Sequence, residues 1–441
     1  MQCSDRHQEQ SVKKPVFGGI LKTACLASIE TLDPQQLIFK TDYKAASIVY
    51  EGLTTFVGDC DEPKPCLAES WALSSDGKKL TFFLRDSVFF HNDPCFPNSR
   101  GRRLCADDVI YTFHRLADAR TQCLEYSMFA GKIIGIDDYH TGKTKHISGI
   151  VKNDSLTVTF MLTRPFAAFF KYLATHICYI VPQEAVTYYG DSFSHHPVGT
   201  GAFRLSRWQQ LKTLYFERHS NYWKKDNYGR HLPYLDSIHL HLISRPVMVI
   251  SELYKDNLDL ATLNQKQFDQ LVNQDKLHEQ HFMIQATPSY NIRFFAFSLN
   301  KTGKATLKPD LRQAIACGFN REEILNSLNT TPAQTFVPAK MLRTSETTWY
   351  TYDPRKAELL VKNSGYAGEQ FCIASNIETE EVNQLQLDCL QLGLNAELCV
   401  QKSDYYSWVF KERPVLFRVS FQPNYPDPEA YYNLFYSKIF S

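Results

Sequence analysis

No run in the 441-residue chain approaches the roughly 18 consecutive apolar residues of a membrane-spanning helix. An excess of one charge is missing too. Lys and Arg number 48, Asp and Glu 47, and the formal net charge is +1. That balance gives no support to nucleic acid or an anionic membrane as partner. No Cys-x2-Cys occurs, so the 12 cysteines lack the spacing of a metal site. No Gly-x-Ser-x-Gly elbow is present. In His278-Glu279-Gln280-His281 the histidines stand one residue closer than the metalloprotease His-Glu-x-x-His requires. Repeats and low-complexity segments are absent. No triad, dyad or metal set is legible among the 14 His and the many acids, so an enzyme is the least supported class and no cofactor is expected.

What is present starts with length. A chain of 441 residues is too long for one ordinary core, and two or three domains are expected. Aromatics are plentiful, with 30 Phe and 24 Tyr; many belong in cores, and the surplus of Tyr suits a cleft that grips by packing and hydrogen bonds. Near the middle, His196-Pro197-Val198-Gly199-Thr200-Gly201-Ala202-Phe203 places two glycines one residue apart, which permits backbone angles or close approaches that a Cβ would forbid. Phe203 and Leu205, then Leu214 and Phe216, alternate across a polar gap and read as a hairpin. A phosphate loop needs Gly-x4-Gly-Lys-Ser/Thr or a third glycine before a helix, and neither follows. A structural turn is the reading.

The cysteines pose an open question. Cys60 with Cys66, and Cys95 with Cys105, each flank a short turn-rich loop that a disulfide would close in an oxidising compartment. Free buried thiols are the alternative, since sequence cannot give connectivity. Met1-Gln2-Cys3-Ser4 heads a polar stretch that runs to Pro15. That is the look of a bacterial lipoprotein after removal of its leader, with Cys3 as the lipidated residue; a chance cysteine is the alternative.

Local patterns give the elements. Strands are expected over Phe17–Ala27, Leu80–Leu84, Leu156–Leu162 and Asn291–Leu299, and helices over Asp42–Leu53, Pro165–Leu173 and Pro309–Phe319. Ala106-Asp107-Asp108 opens a helix with negative charge at its positive end. Ile238, Leu240 and Leu242 alternate with His239 and His241. Two same-face histidines fit a metal, or a solvated or partner-covered face, and no third ligand is apparent nearby. Asp353-Pro354 starts a helix that Gly365 ends. Phe371-Cys372-Ile373 and Ala396–Val400 flank the helix Glu380–Leu392, a βαβ unit and hence a parallel sheet.

Taken in order, short motifs run through the chain from Leu32 to Ser437. They are Leu32-Asp33-Pro34, Tyr50-Glu51-Gly52-Leu53, Leu67-Ala68-Glu69-Ser70-Trp71, Leu84-Arg85-Asp86, Ala106-Asp107-Asp108-Val109, Pro197-Val198-Gly199-Thr200-Gly201, Tyr222-Trp223, Leu311-Arg312-Gln313-Ala314, Tyr352-Asp353-Pro354 and Pro426-Asp427-Pro428. The ordered set resembles the bacterial extracellular solute-binding proteins of the peptide/nickel class, which feed ABC importers. Phe89-Phe90-His91 and the insert that follows look most like the dipeptide-binding branch.

The resemblance implies an α/β, periplasmic-binding-protein-like type II fold, with lobes of mixed sheets and flanking helices around an interlobe cleft. It implies a tether over 1–15, domain I over 16–49 and 171–288, an inserted domain II over 50–170, and domain III over 289–441. Class members run on by about ninety residues, a good part of a domain, so domain III is expected to be incomplete. The ligand would be a peptide or peptide-like solute, passed to an inner-membrane ABC permease by a monomer in the periplasm or cell envelope. Backbone groups of Ile292, Arg293, Phe294 and Phe295 would hold it, with buried waters accommodating variable side chains. Phe39, Lys40 and Thr41, in a loop starting at Ile38, would face Phe421, Asn424 and Tyr425. Where peptide binders carry an Asp for the α-ammonium, this chain has the uncharged Asn424. The stretch Ala374–Glu380 lacks the Arg that the dipeptide branch uses for the carboxylate. Lys40 or Arg293 would supply positive charge instead, unless each is a solvated surface charge. Two further readings stay open: a non-peptide ligand (a thiol peptide conjugate such as glutathione, haem or a metal chelate), and an envelope protein that only makes interactions.

Overall fold

A computed structural model of the protein describes residues 15–26, 28–37, 39–58, 61–264, 267–268, 271, 283–285, 290–299, 307–328, 333, 335–338, 341, 350–402 and 404–435. The chain forms two units, Met1–Phe282 and Met283–Ser441, each described by itself.

The first unit carries two four-stranded sheets. In one, β1 (Ile20–Cys25) runs parallel to β10 (Ser237–Leu242), which pairs antiparallel with β9 (Thr213–Arg218), itself antiparallel to β8 (Phe203–Gln209). The alternation works as expected. Ile238 and Leu240 are buried, while His239 and His241 take the other face of β10. There His241 Nδ1 lies 3.3 Å from Thr213 Oγ1, and the His239 ring stands edge-on to Tyr215. No group of three metal-ligating side chains occurs among the described residues.

The second sheet is antiparallel, in the order β4 (Ala68–Leu73), β5 (Lys79–Leu84), β7 (Thr157–Met161) and β6 (Ile150–Asp154). Its first hairpin turns at Gly77, whose φ of 68° is left-handed and suits glycine. Asp76 Oδ1 braces that turn by accepting from Lys78 N at 3.1 Å. Helix α2 (Ala106–Ala117) opens with a capping box between Cys105 and Asp108 and buries Val109, Phe113 and Leu116. Phe113 meets Phe160 of β7 edge-on at 4.8 Å, and Phe129 and Phe169 complete the cluster. Much of the aromatic content is therefore core.

Three expectations for this unit are corrected. Helix α1 spans Lys40–Val49 rather than Asp42–Leu53. It stops early because the Val49 carbonyl accepts the Gly201 N–H, at 2.8 Å, in place of a helical donor. The aromatic helix after Pro165 is only Phe169–Leu173. Neither proposed disulfide forms: Cys66, Cys95 and Cys105 are free thiols. Cys66 is buried against Glu51, and Cys105 Sγ is turned to Asp108 at 3.5 Å. Cys60 and Cys3 lie outside the described residues.

The second unit is built on a sheet in the order β11 (Ile292–Phe297), β14 (Leu416–Phe421), β12 (Phe371–Ser375) and β13 (Ala396–Val400). β14, β12 and β13 are parallel, and β11 is antiparallel at one edge. The βαβ unit stands as read, with the helix Glu380–Gln391 between β12 and β13. Ile373 and Leu416 pack beneath Val382 and Leu385 of that helix and Leu311 and Ile315 of the helix Pro309–Gly318. On the other face, Ala374 packs against Tyr405 and Val409 of the helix Tyr405–Glu412. Asp353 caps the helix Pro354–Ser364, and Gly365 ends it with φ 66°. A disulfide that the cysteine spacing does not suggest, Cys372–Cys399, joins β12 to β13.

Candidate ligand-binding site

The Gly199–Gly201 turn is held on every residue. A Cβ on Gly199 would sit 2.2 Å from the Val49 oxygen, and one on Gly201 2.6 Å from the same atom, so both positions require glycine. Thr200 Oγ1 donates to Glu51 Oε2 at 3.0 Å. Glu51 also accepts from Trp223 Nε1 at 3.0 Å, from Tyr222 Oη at 2.8 Å, and from Cys66 Sγ at 3.7 Å. Burial pushes its carboxyl pKa up, and the four donors partly offset that shift. Arg85 closes the group, stacking over the Trp223 ring at 4.5 Å and donating from Nε to the Cys66 carbonyl at 2.7 Å. Thr200, the Tyr222-Trp223 pair and Cys66 thus meet at one carboxylate, and Arg85 packs beside it. Their role is to join segments, and the structural reading of the glycines stands.

Ligand-facing candidates lie elsewhere. Parallel β14, β12 and β13 bring their carboxyl ends to one end of the second unit's sheet, where ligands gather in open α/β sheets. Antiparallel β11 begins at that same end, with Ile292 opposite Phe421. The structure therefore brings Ile292, Arg293 and Phe421 together. Tyr431 fixes the corner: its Oη donates to the Tyr290 carbonyl at 2.6 Å and its ring meets Phe421 edge-on. In the segment that follows, Asn424 is exposed and Tyr425 is buried. Phe294 and Phe295 point to opposite faces, toward Phe336 and Phe319 respectively. One edge of β11 is paired with β14; the other has no strand partner among the described residues.

Two arginines near this end share one carboxylate. Arg418 is 6 % exposed and lies on β14 directly opposite Phe295. Its Nε and Nη2 donate to Glu381 Oε1 at 3.0 and 2.9 Å, and its Nη1 donates to Asn376 Oδ1 at 3.4 Å. Arg293 Nη1 donates to the same Glu381 oxygen at 3.3 Å. Burial opposes the charge on Glu381, yet its own N–H, Arg418 and Arg293 hold its pKa below the usual range. Glu381 Oε2 and Thr379 Oγ1 are buried with no hydrogen-bond partner among the described residues. Sequence reasoning named Arg293 and missed Arg418. The available signal was a lone cation inside the buried strand Val415–Ser420, which demands a counter-ion.

Phe39, Lys40 and Thr41 share the start of α1 in the first unit, Lys40 and Thr41 in its first turn rather than in a loop. Phe39 is the N-cap, makes no capping bond, and is 52 % exposed. Ser, Thr, Asp or Asn is the usual choice there. Lys40 sets a cation at the positive end of the helix, four residues before Lys44. Partial desolvation and Lys44 lower its pKa. Asp42 is fully buried; its Oδ2 has no partner among the described residues, and burial raises its pKa to about 6. This helix start breaks three local rules at once.

Residues 62–439 match the bacterial extracellular solute-binding proteins, family 5, middle region. The chain belongs to that family. Its relatives include a dipeptide-binding protein of Escherichia coli K12, 28% identical over 77% of this chain and 62% of the relative. A glutathione-binding protein of Pectobacterium atrosepticum is 30% identical over 80% of this chain and 63% of the relative. The chain thus spans under two thirds of the length of these relatives. A periplasmic binding protein of Helicobacter pylori, solved with the peptide STSA, shares the fold. It has a TM-score of 0.75 at 21% identity, over 94% of this chain and 80% of that one. The type II binding-protein fold follows, and the named relatives are binding proteins. Among the described residues, no helix is long and apolar enough to cross a membrane.

Proposed function

We propose that this family member captures a peptide or peptide-like solute and delivers it to an ABC permease at the cell envelope. The observation that carries the reading is the edge of β11 that has no strand partner among the described residues, at the carboxyl end of the second unit's sheet and beside the Arg293–Glu381–Arg418 group. An open edge offers alternating backbone donors and acceptors to an extended peptide. Arg293 and Arg418 share the Glu381 carboxylate, and Arg293, the less buried of the two, is the cation proposed for a ligand carboxylate. Phe39, Lys40 and Thr41 are the contacts proposed on the first unit, where local stability rules are set aside. The monomeric state, the three-lobe division and lipidation at Cys3 belong to the same proposal.

Asn424 supports a second reading. An uncharged, exposed amide at the position expected to hold an ammonium suits a ligand such as glutathione that is anchored by its carboxylates.

A thermal-shift screen with mixed di- to pentapeptides, glutathione, haem and nickel separates the readings, because native-state binding raises stability by mass action. Peptides are expected to raise Tm. Asn424→Asp is expected to tighten peptide binding tenfold or more, and to weaken glutathione binding if that ligand presents no ammonium to the new carboxylate. No stabilisation by any peptide, or unchanged affinities in the variant, would overturn the peptide reading or the role of Asn424 respectively.

A further inference from the structure

His91 and His219 lie outside the proposed ligand contacts, and both are buried. They converge on one atom. His91 Nε2 is 2.9 Å from the Gly201 carbonyl oxygen, and His219 Nδ1 is 3.2 Å from it. A carbonyl only accepts, so each of those nitrogens carries a proton. The remaining nitrogen of His91, Nδ1, must then hold a lone pair, and it accepts the Gly199 N–H at 3.4 Å. The His91 N–H donates to the Gly199 carbonyl at 2.8 Å. The two rings stand perpendicular, 4.7 Å apart.

These bonds cross between parts of the first unit. His91 follows β5 of the antiparallel sheet, and its bonds reach the turn that opens β8. His219 directly follows β9. We propose that the Gly199–Gly201 turn is a proton-released latch between the two sheets of the first unit, with His91 as its sensor.

The geometry supplies the switch. A second proton on His91 converts Nδ1 from acceptor to donor, directly facing the Gly199 N–H. Two donors then oppose each other in a buried site. The charged and titratable groups acting on His91 are His219 and Arg204 of β8, both of which oppose a further positive charge. His219 likewise feels Arg204. Neither ring has a carboxylate hydrogen-bond partner among the described residues. Burial, His219 and Arg204 together hold His91 down to about 3, while an opened latch returns it to the ordinary 6.5. Proton uptake therefore drives opening as pH falls below 6.5.

The test is amide exchange on the full chain, corrected for intrinsic rates, at pH 7 and pH 4.5. Linkage between a closed value of about 3 and an open value of 6.5 predicts that the opening constant rises on the order of 100-fold. The rise is expected at the Gly199, Gly201 and His91 amides, while strand amides of β5 and β9 stay protected. His91→Gln keeps one donor and one acceptor without titrating, and is expected to abolish the rise. An equal rise in His91→Gln, or strand amides opening together with the turn, would overturn the latch. Should that variant fail to fold, NMR titration of His91 in the parent decides. A value near 3 supports the latch, and one near 6.5 with the turn unchanged refutes it.

Discussion

Replacing Glu51 with alanine tests the centre of the first unit most directly. The change strips the acceptor from Trp223 Nε1, Tyr222 Oη and Thr200 Oγ1, each within 3.0 Å of a carboxylate oxygen. A buried donor left unsatisfied costs about 1–3 kcal/mol, which sums to roughly 3–9 kcal/mol for the three. Two effects reduce the sum: the buried negative charge disappears, and both hydroxyls can rotate toward other acceptors. The Trp223 N–H cannot. A net loss of about 3 kcal/mol is expected for Glu51→Ala. Glu51→Gln keeps the volume and one acceptor oxygen, and its amide can donate to the rotatable Tyr222 hydroxyl. Its cost should be about 1 kcal/mol. Urea unfolding followed by tryptophan fluorescence reads both, as a midpoint shift at constant slope. If alanine costs under about 0.5 kcal/mol, as surface changes do, or if glutamine costs as much as alanine, the four-donor account is wrong.

Asp42→Asn should raise stability at neutral pH. The folded-state value of about 6 lies above the ordinary 3.8, so the ionised form burdens the folded state above pH 6 and the burden vanishes as pH falls below 4. A gain of up to about 3 kcal/mol at pH 7.5 that disappears at pH 4 is expected from unfolding curves; an equal effect at both pH values would contradict it. Alkylation of the denatured, unreduced chain should label Cys66, Cys95 and Cys105 and spare Cys372 and Cys399, which become labelled only after reduction. Label on Cys372 before reduction would remove the disulfide.

The elements that were legible share one property: their cause is local. Asp353-Pro354 with Gly365 marks a helix at both ends because capping involves neighbours only. The βαβ unit from Phe371 to Val400 shows through period and β-branching. Errors arose where a distant partner decides. Helix α1 ends at Val49 because of a glycine 152 positions later, which no window around Val49 reveals. Loop length suggested Cys95 with Cys105, but Cys105 is the N-cap of α2, where Asp108 engages it. The real pair sits diagonally across two parallel strands, 27 positions apart in sequence with a whole helix between. At the candidate site, Ile292 and Phe421 were placed by motif order. Arg418 and Glu381 were invisible because each makes sense only beside the other.

The Glu51 carboxylate also sets an order of assembly. Cys66 is 15 residues away, but Thr200, Tyr222 and Trp223 lie 149, 171 and 172 residues further along. On a growing chain, Glu51 waits through the synthesis of the whole antiparallel sheet before its strong donors exist. Contacts of such separation form late and slow the search. The segment between has an aromatic centre of its own, Phe82, Phe113 and Phe160, which is complete on the chain before any of those strong donors is made.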